Sequence, residues 1–109
     1  MKTRVLDLGN SKVESGFTQI FSHLKNKGPM YTGSGVREVS KRVSFSSKFK
    51  KEPLVQASIA TLDTDKNFNC RYSLTVSNIN DDSFTVTMKT WGDTKIAFAQ
   101  MNWIAIGKS

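Results

Sequence analysis

The sequence predicts an all-β antiparallel sandwich, and three observations carry that expectation. From Val36 onward, apolar and polar residues alternate with period 2 in four successive segments. Asp, Asn, Gly or Pro bounds each segment, and no helical period lies between them. The chain has 109 residues, 38% hydrophobic and 23% charged, which is the size of one domain with one core. A core this small has little stability to spare, so self-association is a natural source of more.

Taken in order, residues 1–35 read as an irregular N-terminal segment, punctuated by Gly9, Gly16, Gly28-Pro29 and Gly33-Ser34-Gly35. One short helical or extended stretch falls at Phe17-Thr18-Gln19-Ile20-Phe21. This segment is available either to pack across a subunit interface or to trail from the sandwich formed by residues 36–109. In segment 54–62, Val55, Ala57 and Ile59 share one face, and Gln56 and Ser58 the other. Next, Cys70, Tyr72, Leu74 and Val76 oppose Arg71, Ser73, Thr75 and Ser77, and then Phe84, Val86 and Met88 oppose Thr85, Thr87 and Lys89. Segment 95–106 is apolar on both faces, as a central strand or one covered by a neighbouring subunit would be. Turns are predicted at Thr64-Asp65-Lys66-Asn67, Asn80-Asp81-Asp82-Ser83 and Gly92-Asp93.

Composition narrows the function classes. No apolar run approaches the roughly 18 residues a membrane span needs, so membrane insertion is not expected. Asp7 and Gly9 interrupt any apolar signal core, and no cleaved signal peptide is expected. Secretion would then need another route or a longer precursor. Cys70 is the single cysteine and can form neither an internal disulfide nor a structural zinc site. The net charge of +7 lies wholly in residues 1–54, with 11 Lys/Arg against 4 Asp/Glu, while residues 55–109 hold 5 of each. Arg37, Lys41, Arg42, Lys48, Lys50 and Lys51 crowd together, either as a solvated surface or as a polyanion site for phosphates, sulfated sugars or acidic membranes. Nucleic-acid binding is disfavoured, because stacking needs interleaved aromatics and the candidates Phe45 and Phe49 read as strand core residues.

Catalytic chemistry is not visible, and no enzyme, metal or cofactor is expected. His23 stands without a second histidine or a neighbouring cysteine and reads as a surface residue. Asp63 with Asp65, and Asp81 with Asp82, lack the spacing of a calcium loop and suit ordinary turns. No nucleophile, base and orienter occur together, and no glycine loop suits a phosphate.

Trp91 departs from the pattern. Parity places it on the polar face with Thr85, Thr87 and Lys89, where an indole has no core to enter. Exposed aromatics at a strand end meet a ligand or another subunit. Arg71 also lies on a polar face, and its planar fork suits sugar hydroxyls as well as carboxylates. The alternative is that a loop covers Trp91 while Arg71 forms a surface salt bridge with Asp63 or Asp93.

Phe45, Phe49, Pro53-Leu54-Val55, Ser58-Ile59, Leu62-Asp63, Asn69-Cys70-Arg71, Phe84, Thr90-Trp91-Gly92-Asp93-Thr94 and Trp103-Ile104-Ala105 together resemble the H-type lectin domain. This is the family of snail agglutinins and of the N-acetylgalactosamine-binding domain of discoidins, and the resemblance covers residues 37–106. It implies a six-stranded antiparallel sandwich, assembled as a homotrimer and in some members stacked into a hexamer. Sugar sites then lie between adjacent subunits, and the partners are glycans and further copies of the chain. It implies that Arg71 hydrogen-bonds the sugar and Trp91 lines the site. Gly33 and Ser34 fall in the loop that supplies a backbone glycine contact and, in the family, an acid near Ser34. Gly92 takes the place of the snail agglutinin's histidine, Ala97 that of its tyrosine, and Met88 that of one disulfide partner. The function expected is a multivalent lectin for terminal Gal/GalNAc-type sugars. The alternatives are a trimeric assembly or adhesion module of a bacterial or phage surface without sugar binding, and a polyanion binder using the basic half.

Overall fold

The computed structural model describes residues 2–109. Seven strands and one short helix follow in the order β1 (Lys2–Asp7), β2 (Ser11–Ser22), α1 (Pro29–Thr32), β3 (Arg37–Ser44), β4 (Leu54–Thr64), β5 (Tyr72–Ser77), β6 (Ser83–Thr90) and β7 (Ile96–Lys108). They form two antiparallel sheets, β1-β2-β7-β4 and β3-β6-β5. The sandwich expectation holds, with seven strands where the resemblance implies six.

The four alternating segments become β4 to β7. Phe84, Val86 and Met88 are fully buried on one sheet, facing Ala99, Met101, Trp103 and Ala105 of the other. Val55, Ala57, Ile59 and Leu62 pack against this core. A bulge between Ile59 and Thr61 shifts the parity, which is why Leu62 as well as Ile59 faces inward. β7 is a central strand, paired with β2 and β4; Ala99, Met101, Trp103 and Ala105 are buried on its inner face, while Ile104 and Ile106 on its outer face stay exposed. Phe45 and Phe49 are core residues, as expected, but they lie in the loop after β3 rather than in a strand. Their rings meet at 5.0 Å, and Phe45 also packs on Phe84 and Trp103.

The N-terminal segment differs from expectation. Residues 2–22 are not irregular: β1 and β2 form a hairpin, and β2 pairs along β7 from Ser11↔Lys108 to Ser22↔Phe98, while residues 23–35 are turns and loop around the short α1. Met1 lies outside the described residues. At the hairpin turn Gly9 has φ +83°, a conformation that favours glycine, and its amide donates to the Asp7 carboxylate at 2.9 Å. The first two-thirds of β2 was obscured because its inward positions are Lys12, Glu14, Gly16 and Thr18, all polar or small, while Phe17 faces out; only at its end do the apolar Ile20 and Phe21 enter the core. The two inward charges are satisfied by the loop after β3. Lys12 donates to Ser47 and to the Lys48 carbonyl and lies 4.5 Å from the Phe49 ring centroid, while Glu14 accepts from the Ser46 amide. Gly16 is required by packing. A Cβ there would stand 2.3 Å from the Trp103 ring, so the glycine lets the indole lie flat on β2.

Candidate functional site

The C-terminal ends of β2, β4 and β6 and the N-terminal ends of β3, β5 and β7 meet at one end of the sandwich. Backbone hydrogen bonds tie their loops: His23 N to Ala97 O, Gly35 N to Gly92 O and Asp65 N to Lys95 O. The five site residues expected from the sequence, Gly33, Ser34, Arg71, Trp91 and Gly92, all lie here.

Arg71 immediately precedes β5, and two buried threonines of the 90–94 segment hold its backbone. The Thr90 hydroxyl donates to Arg71 O at 2.5 Å; the Thr94 hydroxyl accepts from Arg71 N at 2.9 Å and donates to Asn69 O at 2.6 Å. The Thr90-Trp91-Gly92-Asp93-Thr94 run is therefore a clamp. Its outer threonines fix residues 69–71, and its middle residues are presented outward. Trp91 follows the last residue of β6 and is 37% exposed, as parity indicates. The Arg71 guanidinium is also exposed, and its Nη1 donates to Asp93 Oδ1 at 2.6 Å. Of the two acids considered as partners, Asp93 and not Asp63 forms the pair. Desolvation opposes ionisation of Asp93. Hydrogen bonds from Arg71, from Asn69 and from its own backbone, together with the Arg71 charge, outweigh that effect and hold the carboxyl below the usual carboxylate range.

Gly92 (φ +69°) sits against this pair, and a Cβ there would stand 3.1 Å from Arg71 Nη1. Glycine thus gives the turn its left-handed backbone and keeps the guanidinium uncovered. Gly33 has a different reason. A Cβ would fall 2.7 Å from Pro29 O and 2.8 Å from Arg37 Cδ, so its role in the chain is to let Arg37 pass beneath the loop. Ser34 is exposed between them.

Arg37 is the residue that sequence reasoning missed. It stood in the basic cluster as a candidate surface charge, yet it is 8% exposed. Its guanidinium donates to five carbonyls: Gly35, Pro29, Met30, Gly33 and Gly92. Burial lowers its pKa from the usual arginine value. Those five bonds join α1, the 33–35 loop and the 91–93 turn into one body. The only available signal was its place two residues after Gly33-Ser34-Gly35, where open loop carbonyls need donors. Others of the basic cluster are also committed internally, Lys41 to Gln19 O and Arg42 to Asn78 O, Ser83 and Thr85.

His23 is not a plain surface residue. It packs on Phe21 with ring centroids 4.6 Å apart, and its Nδ1 accepts from the Met30 amide at 3.2 Å, which supports α1 from below. Asp65 accepts from the Asn67 amide and Asn80 from the Asp82 and Ser83 amides, the turn roles expected of these segments. Among the described residues no group of three or more His, Cys, Asp or Glu could hold a metal ion.

Two antiparallel sheets packed face to face around one core, with an exposed arginine and tryptophan at one end, define a β-sandwich protein. More particularly, the family model of the H-type lectin domain matches residues 40–106, over half the chain, and the protein belongs to that family. A protein of Fuscovulum blasticum described as "ATP synthase subunits region ORF 7" is 38% identical over 104 residues, 94% of this chain and 90% of the relative. Two structures of discoidin II from Dictyostelium discoideum, one recombinant and one wild-type, superpose with TM-scores of 0.78 and 0.79 at 23% identity. Each match covers 92% of this chain and 38% of the discoidin chain, so the likeness is one of fold to part of a longer protein.

Proposed function

We propose that this protein is a carbohydrate-binding protein that recognises terminal Gal/GalNAc-type sugars through a multivalent oligomer. One observation carries the reading: Arg71 and Trp91 are both exposed beside a turn that the 33–35 loop joins through the Gly35–Gly92 bond of 2.9 Å. The apolar face of a sugar stacks on the indole while its hydroxyls accept from the guanidinium. Membership of the H-type lectin domain family supports the same reading.

A homotrimer, singly or stacked as a hexamer, suits the exposed apolar residues on the outer face of the four-stranded sheet. Register aligns Leu6, Val13, Ile106 and Leu54 across β1, β2, β7 and β4, and Leu6, Ile106 and Leu54 are all exposed. Beside this strip, a groove of about 490 Å³ is lined by Ser15, Gln56, Ser58, Asn102 and Ile104. Repetition of weak sites in an oligomer multiplies affinity for a glycosylated surface.

The test is a glycan array probed with the native oligomer and with Trp91→Ala and Arg71→Ala. Binding that survives high salt, vanishes in Trp91→Ala and weakens by about 1.5–3 kcal/mol in Arg71→Ala supports the lectin. A second reading, an assembly module without sugar binding, rests on the Arg71–Asp93 ion pair, which already occupies part of the guanidinium. Intact oligomers with no glycan affinity would establish it. Binding only to anionic glycans, removed by salt, would instead establish a polyanion binder.

A further inference from the structure

Resting on that reading, we propose that Asp93 sets the ligand class of the site. It accepts one sugar hydroxyl beside Arg71 and restricts the site to neutral sugars that present two adjacent hydroxyls. The Arg71–Asp93 contact is the one ion pair among the described residues, and both side chains remain open to solvent, at 39% and 47%. Arg71 uses Nη1 on Asp93 Oδ1, while its Nε and Nη2 have no partner among the described residues. Among the side chains of the described residues, Asp93 Oδ2 has only the Asn69 amide, at a long 3.4 Å. A carboxylate only accepts and a guanidinium only donates, whereas a hydroxyl does both. One hydroxyl can therefore donate to Oδ2 while its neighbour accepts from the guanidinium, so the acceptor and donor side by side match a pair of hydroxyls.

A sulfate or carboxylate in the same place meets a different balance. It has no proton for Oδ2, it faces the Asp93 charge, and the Arg71 charge that would attract it is already compensated. Nearby cations do not restore the attraction. Arg37 is buried and directed at carbonyls, and Lys95 reaches towards Tyr31 O and the Phe68 ring. Gly92 keeps the pair uncovered, since any side chain there would meet the guanidinium.

The experiment uses an array of neutral glycans printed beside their sulfated counterparts, probed at low and high salt with the native protein, Asp93→Asn and Asp93→Glu. The native protein is expected to bind neutral glycans and reject the sulfated ones. Asp93→Asn should lose about tenfold on the neutral set, about 1.4 kcal/mol, and gain sulfated glycans in a manner that high salt reverses. Asp93→Glu, which keeps the charge, should still reject the sulfated set. Circular dichroism establishes that each variant is folded. Neutral binding by Asp93→Asn equal to that of the native protein, or native binding to sulfated glycans as tight as to neutral ones, overturns the role of Asp93 and leaves the lectin standing. A folded native protein that binds no glycan overturns both.

Discussion

Thr94 and Arg71 are joined through the backbone: the buried Thr94 hydroxyl accepts from the Arg71 amide at 2.9 Å and donates to Asn69 O at 2.6 Å. One side chain thus fixes both sides of Cys70 and the base of the exposed guanidinium. Thr94→Val keeps the shape but leaves a buried donor and a buried acceptor without partners, at a cost of about 1–3 kcal/mol. The expected result is a lower denaturation midpoint together with weaker glycan binding. Thr94→Ser, which retains the hydroxyl, should restore both to near the native values. Failure of serine to restore binding would show that the Thr94 methyl, not the hydrogen bonds, positions Arg71.

Arg37 is expected to be the most costly charged residue to remove. Met30, Gly33 and Gly35 carbonyls receive no bond besides those from its guanidinium among the described residues. Arg37→Met frees all three and severs α1 from the 91–93 turn, so a loss of about 2–4 kcal/mol is expected on chemical denaturation. Arg37→Lys should recover little, because one ammonium cannot span carbonyls that a planar fork reaches together. Native stability in the lysine variant would show that charge alone, without the fork, holds the loop.

The fold was legible wherever the inward face of a strand is apolar. β4 to β7 follow their alternation because Val55, Ala57, Phe84, Val86, Met88, Met101 and Trp103 meet a shared core. β2 inverts that code over its first half by burying Lys12 and Glu14 against loop carbonyls, an amide and an aromatic ring, so only its end, where Ile20 and Phe21 are buried, stood out as a short stretch. The same split runs through the site. Trp91 and Arg71 were legible as candidates because parity leaves these two large side chains on a polar face. Arg37 was hidden, since an arginine among lysines has the same composition whether it faces solvent or five carbonyls. The choice between Asp63 and Asp93 required the 91–93 turn itself, which carries the carboxylate to Arg71.

Acid should weaken the molecule in two steps of known sign. Burial lowers the pKa of His23 below its ordinary 6.5, so as pH falls past that value the unfolded chain takes up the proton first and stability declines. Protonation at Nδ1 also removes the acceptor for the Met30 amide. His23→Gln should flatten this step in a series of denaturation midpoints against pH. Asp93, with its folded pKa depressed, contributes stability that is complete above the ordinary carboxylate value and is lost as pH falls through the folded one. Asp93→Asn should remove that more acidic step. A midpoint independent of pH across the His23 range would show that the 23–30 contact contributes nothing to stability.

The outer strip of Leu6, Val13, Ile106 and Leu54 makes the assembly testable apart from the sugar site. Leu54 is 79% exposed and Ile106 46% exposed in the single chain, so charging them costs the isolated fold little, within about 0.5 kcal/mol for each surface change. In an oligomer that buries this strip, two glutamates per subunit would meet their copies or an apolar surface, and association should be lost. The double variant Leu54→Glu with Ile106→Glu is therefore expected to run as a folded monomer by light scattering, and the native protein as the proposed trimer. It should keep its affinity for a soluble monosaccharide if each subunit carries a whole site, and lose it if a neighbour supplies part. In either case retention on a glycan-coated surface should fall by about 10²-fold or more, the contribution of multivalency. A double variant that still elutes as the native oligomer would place the subunit contact elsewhere, and a native protein that elutes as a monomer would remove the trimer altogether.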